Sequence, residues 1–196
     1  MPAPIPRIMG ILNVTPDSFS DGGRLAGADA AIAAGIALMR EGADIVDVGG
    51  ESTRPGASPV PLDEELRRTI PVVEGLVRAG VPVSIDTMKA GVMRAALGAG
   101  ATMLNDVSAL QAEPESLCVA AGSDARLVLM HMPGTPQTMQ QLAHYADPVA
   151  EVMAHLVARI AAAEGAGIAR DRLIADPGIG FGKGLAHNLA ILQGLE

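Results

Sequence analysis

The chain has 196 residues, 49% of them hydrophobic, which is enough for one domain of ordinary size with a sizeable core. Its formal net charge is −8 and no cluster of Lys and Arg stands out, which argues against a nucleic-acid-binding surface. No apolar run approaches the roughly 18 residues of a membrane span, and the N-terminus lacks the pattern of a signal peptide. The sequence therefore predicts a cytoplasmic protein without a membrane segment, in which Cys118, the single cysteine, is a small buried side chain.

Apolar runs that end in polar residues recur along the chain and are predicted to be strands. Such runs, apolar at consecutive positions, are typical of strands that are buried on both faces of a parallel sheet. They cover residues 7–14, 43–50, 81–87, 101–107, 125–132 and 172–178.

Between these runs, apolar residues recur every three or four positions, which predicts helices. The clearest examples cover 28–41, 62–79 and 148–164, and several of the helical stretches stop at a glycine just before the next strand. Six such βα units predict an α/β fold with a parallel sheet. The sheet is either doubly wound or part of a (β/α)₈ barrel, which has eight strands and about 250 residues when complete.

The polar residues at the strand ends favour the barrel. Asn13, Asp86, Asn105, His131 and Asp176 each stand at or near the end of a predicted strand. In a barrel these ends converge on one rim, which carries the active site, whereas an open sheet spreads them along an edge. We interpret His131 as part of the rim architecture and the other three histidines as surface residues.

Any one of these polar residues could simply mark where the chain leaves the core. Together, Asn13, Asp86, Asn105 and Asp176 would be costly to bury without a partner. A flat heterocycle with several N–H and C=O groups would satisfy them, and Asp176 could accept two N–H groups from an amino-pyrimidinone edge. The sequence has no GxxxxGK[ST] phosphate loop and no zinc-ligand spacing.

Six blocks of the sequence, in this order, resemble the dihydropteroate synthase family. The resemblance extends over nearly the whole chain, and the first two blocks are long and specific. It implies a (β/α)₈ barrel that condenses 6-hydroxymethyl-7,8-dihydropterin diphosphate with p-aminobenzoate, giving 7,8-dihydropteroate and diphosphate for folate synthesis, with Mg²⁺ as the usual ion. The blocks are MGILNVTPDSFSDGG (9–23), GADIVDVGGESTRPGA (42–57), SIDT (84–87), LNDV (104–107), MHMPGTPQTMQ (130–140) and DPGIGFGK (176–183).

The resemblance also implies roles for individual residues, which we state as expectations. The pterin edge would be held by Asp86, Asn105, Asp176 and Met130. The diphosphate would be held by Asn13, Thr53 and Arg54, with Asn13 also at the Mg²⁺ ion. The pocket for p-aminobenzoate would be lined by Phe19, Pro55 and Phe181, and the catalytic residues would be Asp21 and Arg54.

The expected roles of Phe19 and Phe181 would explain where the two phenylalanines stand in the sequence. The chain has only two phenylalanines, and both Phe19 and Phe181 lie in polar, glycine-rich segments rather than in an apolar run. A role in the substrate pocket explains that position.

The family has two further blocks, a Ser-Arg-Lys element and an Arg-x-His element, that this sequence does not contain. We therefore expect residues 1–196 to form a single pterin-binding barrel domain that lacks the last two βα units, and the isolated chain to be weakly stable and inactive. The resemblance implies a homodimer for the parent protein and makes it a target of sulfonamides. The alternatives are a non-catalytic paralogue and a pterin- or folate-binding module of a methyltransferase.

Overall fold

Six strands alternate with six α-helices in the part of the chain that the structure describes. The structure is a computed structural model that describes residues 5–15 and 23–195. The strands are β1 (Met9–Asn13), β2 (Ile45–Gly49), β3 (Val83–Asp86), β4 (Met103–Asp106), β5 (Arg126–Met130) and β6 (Leu173–Asp176). The helices are α1 (Gly23–Arg40), α2 (Leu62–Arg78), α3 (Ala90–Gly98), α4 (Pro114–Ala121), α5 (Pro148–Gly165) and α6 (Leu185–Gln193).

The order of the strands decides between the two predicted architectures. All six pair in parallel, and each strand lies beside its neighbour in sequence, β1 to β6. A doubly wound sheet reverses its strand order at a switch point, and no reversal occurs among these strands. The α/β fold with six βα units in barrel order is therefore confirmed.

One face of the sheet is covered by the helices and forms the main core. Because side chains alternate along a strand, every second residue points to this outer face. From β1 to β5 most of these residues are apolar and buried, and they pack with the inner faces of the helices, where Val72, Leu76, Val92 and Met93 are fully buried. The outward-facing strand residues in this core are Leu12, Val46, Val48, Val83, Ile85, Leu104, Leu127 and Leu129.

The other face differs from the sequence-based prediction, which treated the strands as apolar on both sides. Asp47 and Ser84 are paired in register on this inner face, and both are buried, with 2% and 0% of their surface exposed. At the next inward positions stand Gly49 and Asp86. The run around Asp47 reads as apolar in the sequence because Val46 and Val48, on either side of it, point to the outer face.

Local capping explains where the longest helices begin. Asp147 precedes α5 and accepts hydrogen bonds from the backbone N–H groups of Val149 and Ala150 at 3.1 and 3.0 Å, while Pro148 occupies the first turn. Helix α2 follows Pro61 and carries three acidic residues in its first turn, where they complement the helix dipole.

One sequence-based expectation about the helices was incomplete and another was wrong. Helix α1 begins at Gly23 rather than at residue 28. Cys118 on α4 is exposed rather than buried, because the inward face of this short helix is formed by Ser116 and Ala120. In the described part of the chain, no helix has the length and apolar character needed to cross a bilayer.

The two-sided pattern of the sheet predicts which leucine matters for stability. Leu104 on β4 is 1% exposed and belongs to the main core, whereas Leu142 lies in a loop and is 49% exposed. We expect Leu104→Ala to lower the free energy of unfolding by about 3 kcal/mol, because it removes buried apolar contacts and leaves a cavity. The matched Leu142→Ala change should cost less than about 1 kcal/mol. Chemical denaturation of both variants would measure this, and equal losses would contradict the assignment of the core face.

Candidate functional site

The C-terminal ends of the first four strands bring three predicted site residues into one row. Asn13 pairs in register with Gly49, Gly49 with Asp86, and Asp86 with Asn105. Gly49 carries no side chain, so Asn13 and Asp86 approach each other across it. A Cβ atom at position 49 would lie 3.6 Å from Asn13 Oδ1 and 3.5 Å from Asp86 Oδ2. The sequence predicted that these side chains meet at one rim, and the structure brings them together.

Asp176 and Met130 lie beside this row, at the ends of β6 and β5, and are paired in register with each other. The Asp176 carboxylate accepts a 2.7 Å hydrogen bond from the Gly178 N–H through Oδ1, which ties it to the following loop. Its second oxygen, Oδ2, remains for a ligand. By strand alternation both side chains share the inner face with Asn105 and Asp86.

The carboxylates of this face lie close together and are mostly buried. Burial, followed by the charges of Asp47, Asp106, Glu65 and Glu51, raises the pKa of Asp86 well above its usual value. Burial likewise raises the pKa of Asp47. Asp86 Oδ1 is buried and has no hydrogen-bond partner among the described residues. A buried acceptor of this kind favours a ligand that brings N–H donors.

Asp47 was missed by the sequence analysis and lies directly below the row. Its Oδ2 accepts a 2.8 Å hydrogen bond from Asn105 Nδ2. This hydrogen bond joins β2 to β4 across the inner face of β3. The sequence does carry a sign of its role: Asp47 is a charged residue in the middle of the predicted strand 43–50, where an apolar residue would be expected.

The loop between β2 and α2 places Arg54 and Pro55 at the rim. Both are exposed, and Thr53 is half-buried. The loop is joined to the segment after β5: Gly56 N–H donates to the Pro136 carbonyl at 3.1 Å, and the Gln137 side chain donates to the Ala57 carbonyl at 2.8 Å. Thr53 and Arg54, two of the three residues predicted to contact diphosphate, are therefore carried by a loop that is held at two points.

A buried ion cluster supports the start of the same loop. Lys89 Nζ lies 2.6 Å from Glu51 Oε2 and 2.5 Å from Glu65 Oε2. Glu51 Oε2 also accepts the Val60 N–H at 2.7 Å, and Glu65 Oε1 accepts the Thr87 hydroxyl at 2.6 Å. Burial would lower the pKa of Lys89, but the hydrogen bonds to the two glutamates outweigh it and raise this pKa. The cluster thus ties the β2–α2 loop to the residue that follows Asp86.

Gly50 allows this cluster to form. A Cβ at this position would lie 2.6 Å from Thr69 Cγ2 and 2.9 Å from Glu65 Cγ. Any side chain would therefore push the strand exit away from α2.

Lys183 plays a comparable part in the glycine-rich segment 176–184. It is buried, and its Nζ donates to the carbonyls of His131, Gly178 and Phe181 at 3.1, 2.9 and 3.0 Å. Burial lowers the pKa of Lys183 to about 8. The lysine fixes the segment that follows Asp176 against the end of β5.

The backbone of this segment is also tightly packed. Gly178 has φ +68°, and a Cβ on it would lie 2.1 Å from the His131 carbonyl oxygen. Only glycine fits here.

Phe181 is half-buried and packs against a cluster of buried apolar side chains around Met130. Met130 itself is 3% exposed. Its buried neighbours in this cluster are Val107, Met132 and Met139. The structure thus places Phe181 against the apolar cluster that contains Met130, with part of the ring used for packing.

His131 lies at the rim next to a cavity of about 750 Å³ outside the row of polar side chains. Its ring contacts that of His155 at 4.8 Å between centroids, edge to face, and burial is the main cause that lowers the pKa of His131 to about 4. Neutral at physiological pH, it fits the predicted role in the rim. His155, expected on the surface, is half-buried, and its Nε2 is shielded from solvent.

Two predicted site residues, Phe19 and Asp21, lie outside the described residues. Among residues 5–15 and 23–195, no group of three or more His, Cys, Asp and Glu side chains is arranged to hold a metal ion. An ion at Asn13 would therefore depend on oxygen atoms from a ligand as well as on the protein.

Comparisons with known proteins agree with this geometry. A family described as "pterin binding enzyme" matches residues 9–196. The dihydropteroate synthase of Synechocystis sp. is 48% identical over 189 residues, which are 96% of this chain and 65% of that protein. The dihydropteroate synthase of Escherichia coli K12 is 49% identical, over 97% of this chain and 67% of the relative. The chain thus spans about two thirds of the length of these relatives.

Solved structures give the same result. The Xanthomonas albilineans dihydropteroate synthase with 4-aminobenzoic acid superposes with a TM-score of 0.89 at 56% identity, covering 97% of this chain and 67% of the other. The structure of the same enzyme in complex with 7,8-dihydropteroate gives a TM-score of 0.83 at 52% identity, with the same coverage.

The ion cluster under the β2–α2 loop can be tested by stability. We expect Lys89→Met to lower the free energy of unfolding by about 3–5 kcal/mol, because it leaves two buried glutamates without their cation. The control is Arg67→Met, which breaks an ion pair with Glu64 on the surface, where the arginine side chain is 43% exposed. That change should cost less than about 1 kcal/mol. Urea denaturation of both variants measures the difference, and a loss for Lys89→Met as small as the control's would show that the cluster contributes little.

Proposed function

Since the chain belongs to the pterin-binding enzyme family, we propose that the full-length protein acts as a dihydropteroate synthase. In this reaction p-aminobenzoate displaces diphosphate from 6-hydroxymethyl-7,8-dihydropterin diphosphate. The observation that carries the proposal is the row formed by Asn13, Asp86 and Asn105, with Asp176 beside it on the inner face of the sheet.

These side chains suit the amino-pyrimidinone half of a pterin. Asp176 Oδ2 and the unpaired Asp86 Oδ1 are acceptors, and the pterin edge presents ring and exocyclic N–H donors. Asn105 adds an amide that can both donate and accept. Met130 supplies an apolar wall for the flat ring. Carboxylates in a buried setting accept such N–H groups more strongly than they would in water.

The anionic half of the substrate would lie toward the rim. The Arg54 guanidinium can bind phosphate oxygens in pairs, and Thr53 adds a hydroxyl donor. Asn13 Oδ1 lies close to Gly49 and fits a Mg²⁺ ion that is shared with the diphosphate, since Mg²⁺ is commonly held by one or two protein oxygens plus phosphate oxygens. When bound, the ion neutralises part of the negative charge on the leaving diphosphate.

In the transfer step, the bond between the pterin methylene carbon and the diphosphate oxygen breaks, and its electron pair leaves with diphosphate. The amine nitrogen of p-aminobenzoate forms the new bond to carbon and releases a proton. The methylene carbon becomes cationic as the first bond breaks, and we assign its stabilisation to the Asp21 carboxylate. Phe19, Pro55 and Phe181 would hold the aromatic amine in place for attack.

The proposal is tested by incubating the full-length protein with the pterin diphosphate, p-aminobenzoate and Mg²⁺ and measuring the formation of 7,8-dihydropteroate. Production that requires all three additions supports it. Tight binding of the pterin without turnover would instead favour a pterin- or folate-binding module or a non-catalytic paralogue. Absence of both would overturn the assignment.

Two further parts of the proposal concern the assembly and the compartment. Following the family resemblance, we propose a homodimer for the full-length protein and a cytoplasmic location.

The raised pKa of Asp86 predicts how binding depends on pH. The ionised carboxylate accepts N–H groups at both oxygens and more strongly than the protonated carboxyl, so pterin affinity should fall as the pH is lowered through the pKa of Asp86, at a higher pH than for an exposed aspartate. Titration calorimetry of pterin binding between about pH 4 and 8 measures this. The Asp86→Asn variant should bind about 10- to 100-fold more weakly at neutral pH and lose this part of the pH dependence. An unchanged profile in that variant would contradict the assignment.

The assigned role of Arg54 predicts that its removal impairs recognition of the diphosphate half of the substrate and leaves recognition of the pterin half unchanged. We expect Arg54→Met to lower kcat/KM about 100-fold, because one charged donor to the leaving group is lost. Binding of a pterin without diphosphate should be unchanged. Arg40→Met at the exposed end of α1 is the control and should leave both quantities unaltered. If Arg54→Met weakened binding of the plain pterin equally, the residue would act on the loop as a whole rather than on phosphate.

A further inference from the structure

Asn105 can present two different hydrogen-bonding patterns to a ligand. Its amide has a carbonyl oxygen, which accepts, and an NH₂ group, which donates twice. A rotation of 180° about the terminal bond exchanges the two. A free asparagine in the pocket would therefore accept either a pterin or a heterocycle with the opposite arrangement of donors and acceptors.

Asp47 removes this freedom. Its Oδ2 lies 2.8 Å from Asn105 Nδ2, and an ionised carboxylate can only accept a hydrogen bond. The flipped amide would place Oδ1 against the carboxylate, and two acceptors would face each other in a buried setting. Asp47 is 2% exposed, so no bulk solvent can relieve that contact.

Asp47 is too deep to contact a ligand in the row itself. It precedes Gly49 by two positions on β2 and is paired in register with Ser84, below Asp86. Its bond to Asn105 spans from β2 to β4 across the intervening strand. Among the described residues, the Asn105 side chain forms no other hydrogen bond, so Oδ1 and the second N–H remain for a ligand.

We propose that Asp47 is a positioning residue that fixes the amide orientation of Asn105 and thereby selects a 2-amino-4-oxopteridine over its 2,4-dioxo counterpart. This inference rests on the proposed function. The amino form presents a ring nitrogen acceptor beside an exocyclic amino donor, which matches the remaining N–H and Oδ1 of Asn105. The dioxo form presents an N–H donor beside a carbonyl acceptor, which matches only the flipped amide.

The test compares the binding of two ligands to variants of the full-length protein. The ligands are the 2-amino-4-oxo and the 2,4-dioxo forms of 6-hydroxymethylpteridine, and their dissociation constants are measured by calorimetry. In Asp47→Asn the new amide can donate or accept, so it supports both orientations of Asn105. We expect the preference for the amino form to fall about tenfold, the size of one neutral hydrogen bond.

Asp106→Asn is the matched control. Asp106 follows Asn105 directly, is fully buried on the opposite face of β4 and accepts hydrogen bonds from Ser108 and Leu110 rather than from Asn105. The same Asp-to-Asn change there should lower stability and leave the preference between the two ligands unchanged.

The outcomes separate the inference from the proposed function. If Asp47→Asn weakens both ligands equally, Asp47 has only a structural role and the inference is wrong, while the pterin assignment stands. If the unmodified protein binds neither ligand, the proposed function fails and the inference with it.

A second measurement needs no variant. In the unmodified protein without ligand, NMR should show one Asn105 side-chain N–H proton protected from exchange and the other exchanging faster. Rapid exchange of both protons would overturn the inference even if Asp47→Asn did not fold.

Discussion

Because neighbouring strands run parallel and in sequential order, the residue that ends one strand lies beside the residue that ends the next. Asn13, Gly49, Asp86 and Asn105 are neighbours only through this register, since they are far apart in sequence. A shift of one residue in any pair would turn one of these side chains into the apolar layer beneath the helices. The packing of Val48, Ile85 and Leu104 on the outer face therefore fixes the register that assembles the polar row on the inner face.

The polar row in turn depends on lysines that do not belong to it. The sequence contains two lysines, Lys89 and Lys183, and both are largely withdrawn from solvent next to a loop of the rim. Lys89 binds two glutamates, whereas Lys183 binds three backbone carbonyls. Each joins the segment that follows one strand to the segment that follows another. The buried ammonium groups of these two lysines thus position the loops after β2 and β6. Glycine- and proline-rich segments form few regular contacts of their own, and the lysine contacts compensate for the entropy that is lost when these loops are ordered.

Much of this arrangement could be predicted from the sequence, because its causes are local. The apolar runs gave six strands, and the polar residue at the end of each run indicated the rim where Asp86, Asn105 and Asp176 lie. The positions of Asp47, Lys89 and Lys183 depend on contacts between residues that are distant in sequence. Lys89 lies 38 positions from Glu51 and Asp47 lies 58 from Asn105, so no periodicity connects them. Cys118 was misplaced for a similar reason, because an apolar stretch does not reveal which face of a short helix meets the sheet.

The candidate site has opposite electrical character on the sheet and on the loop beside it. On the inner face of the sheet, Asp47, Asp86 and Asp176 lie on the same side as the Asn105 amide, and no cationic side chain forms an ion pair with them among the described residues. At the rim, Arg54 stands exposed on a loop that is tied down at two points. This charge distribution favours a molecule that brings N–H donors to the carboxylates and phosphate to Arg54, since the reverse would bring phosphate against buried carboxylates. In the proposed reaction, this orientation would leave the bond between the two halves of the substrate near the rim, on the side from which the amine would attack.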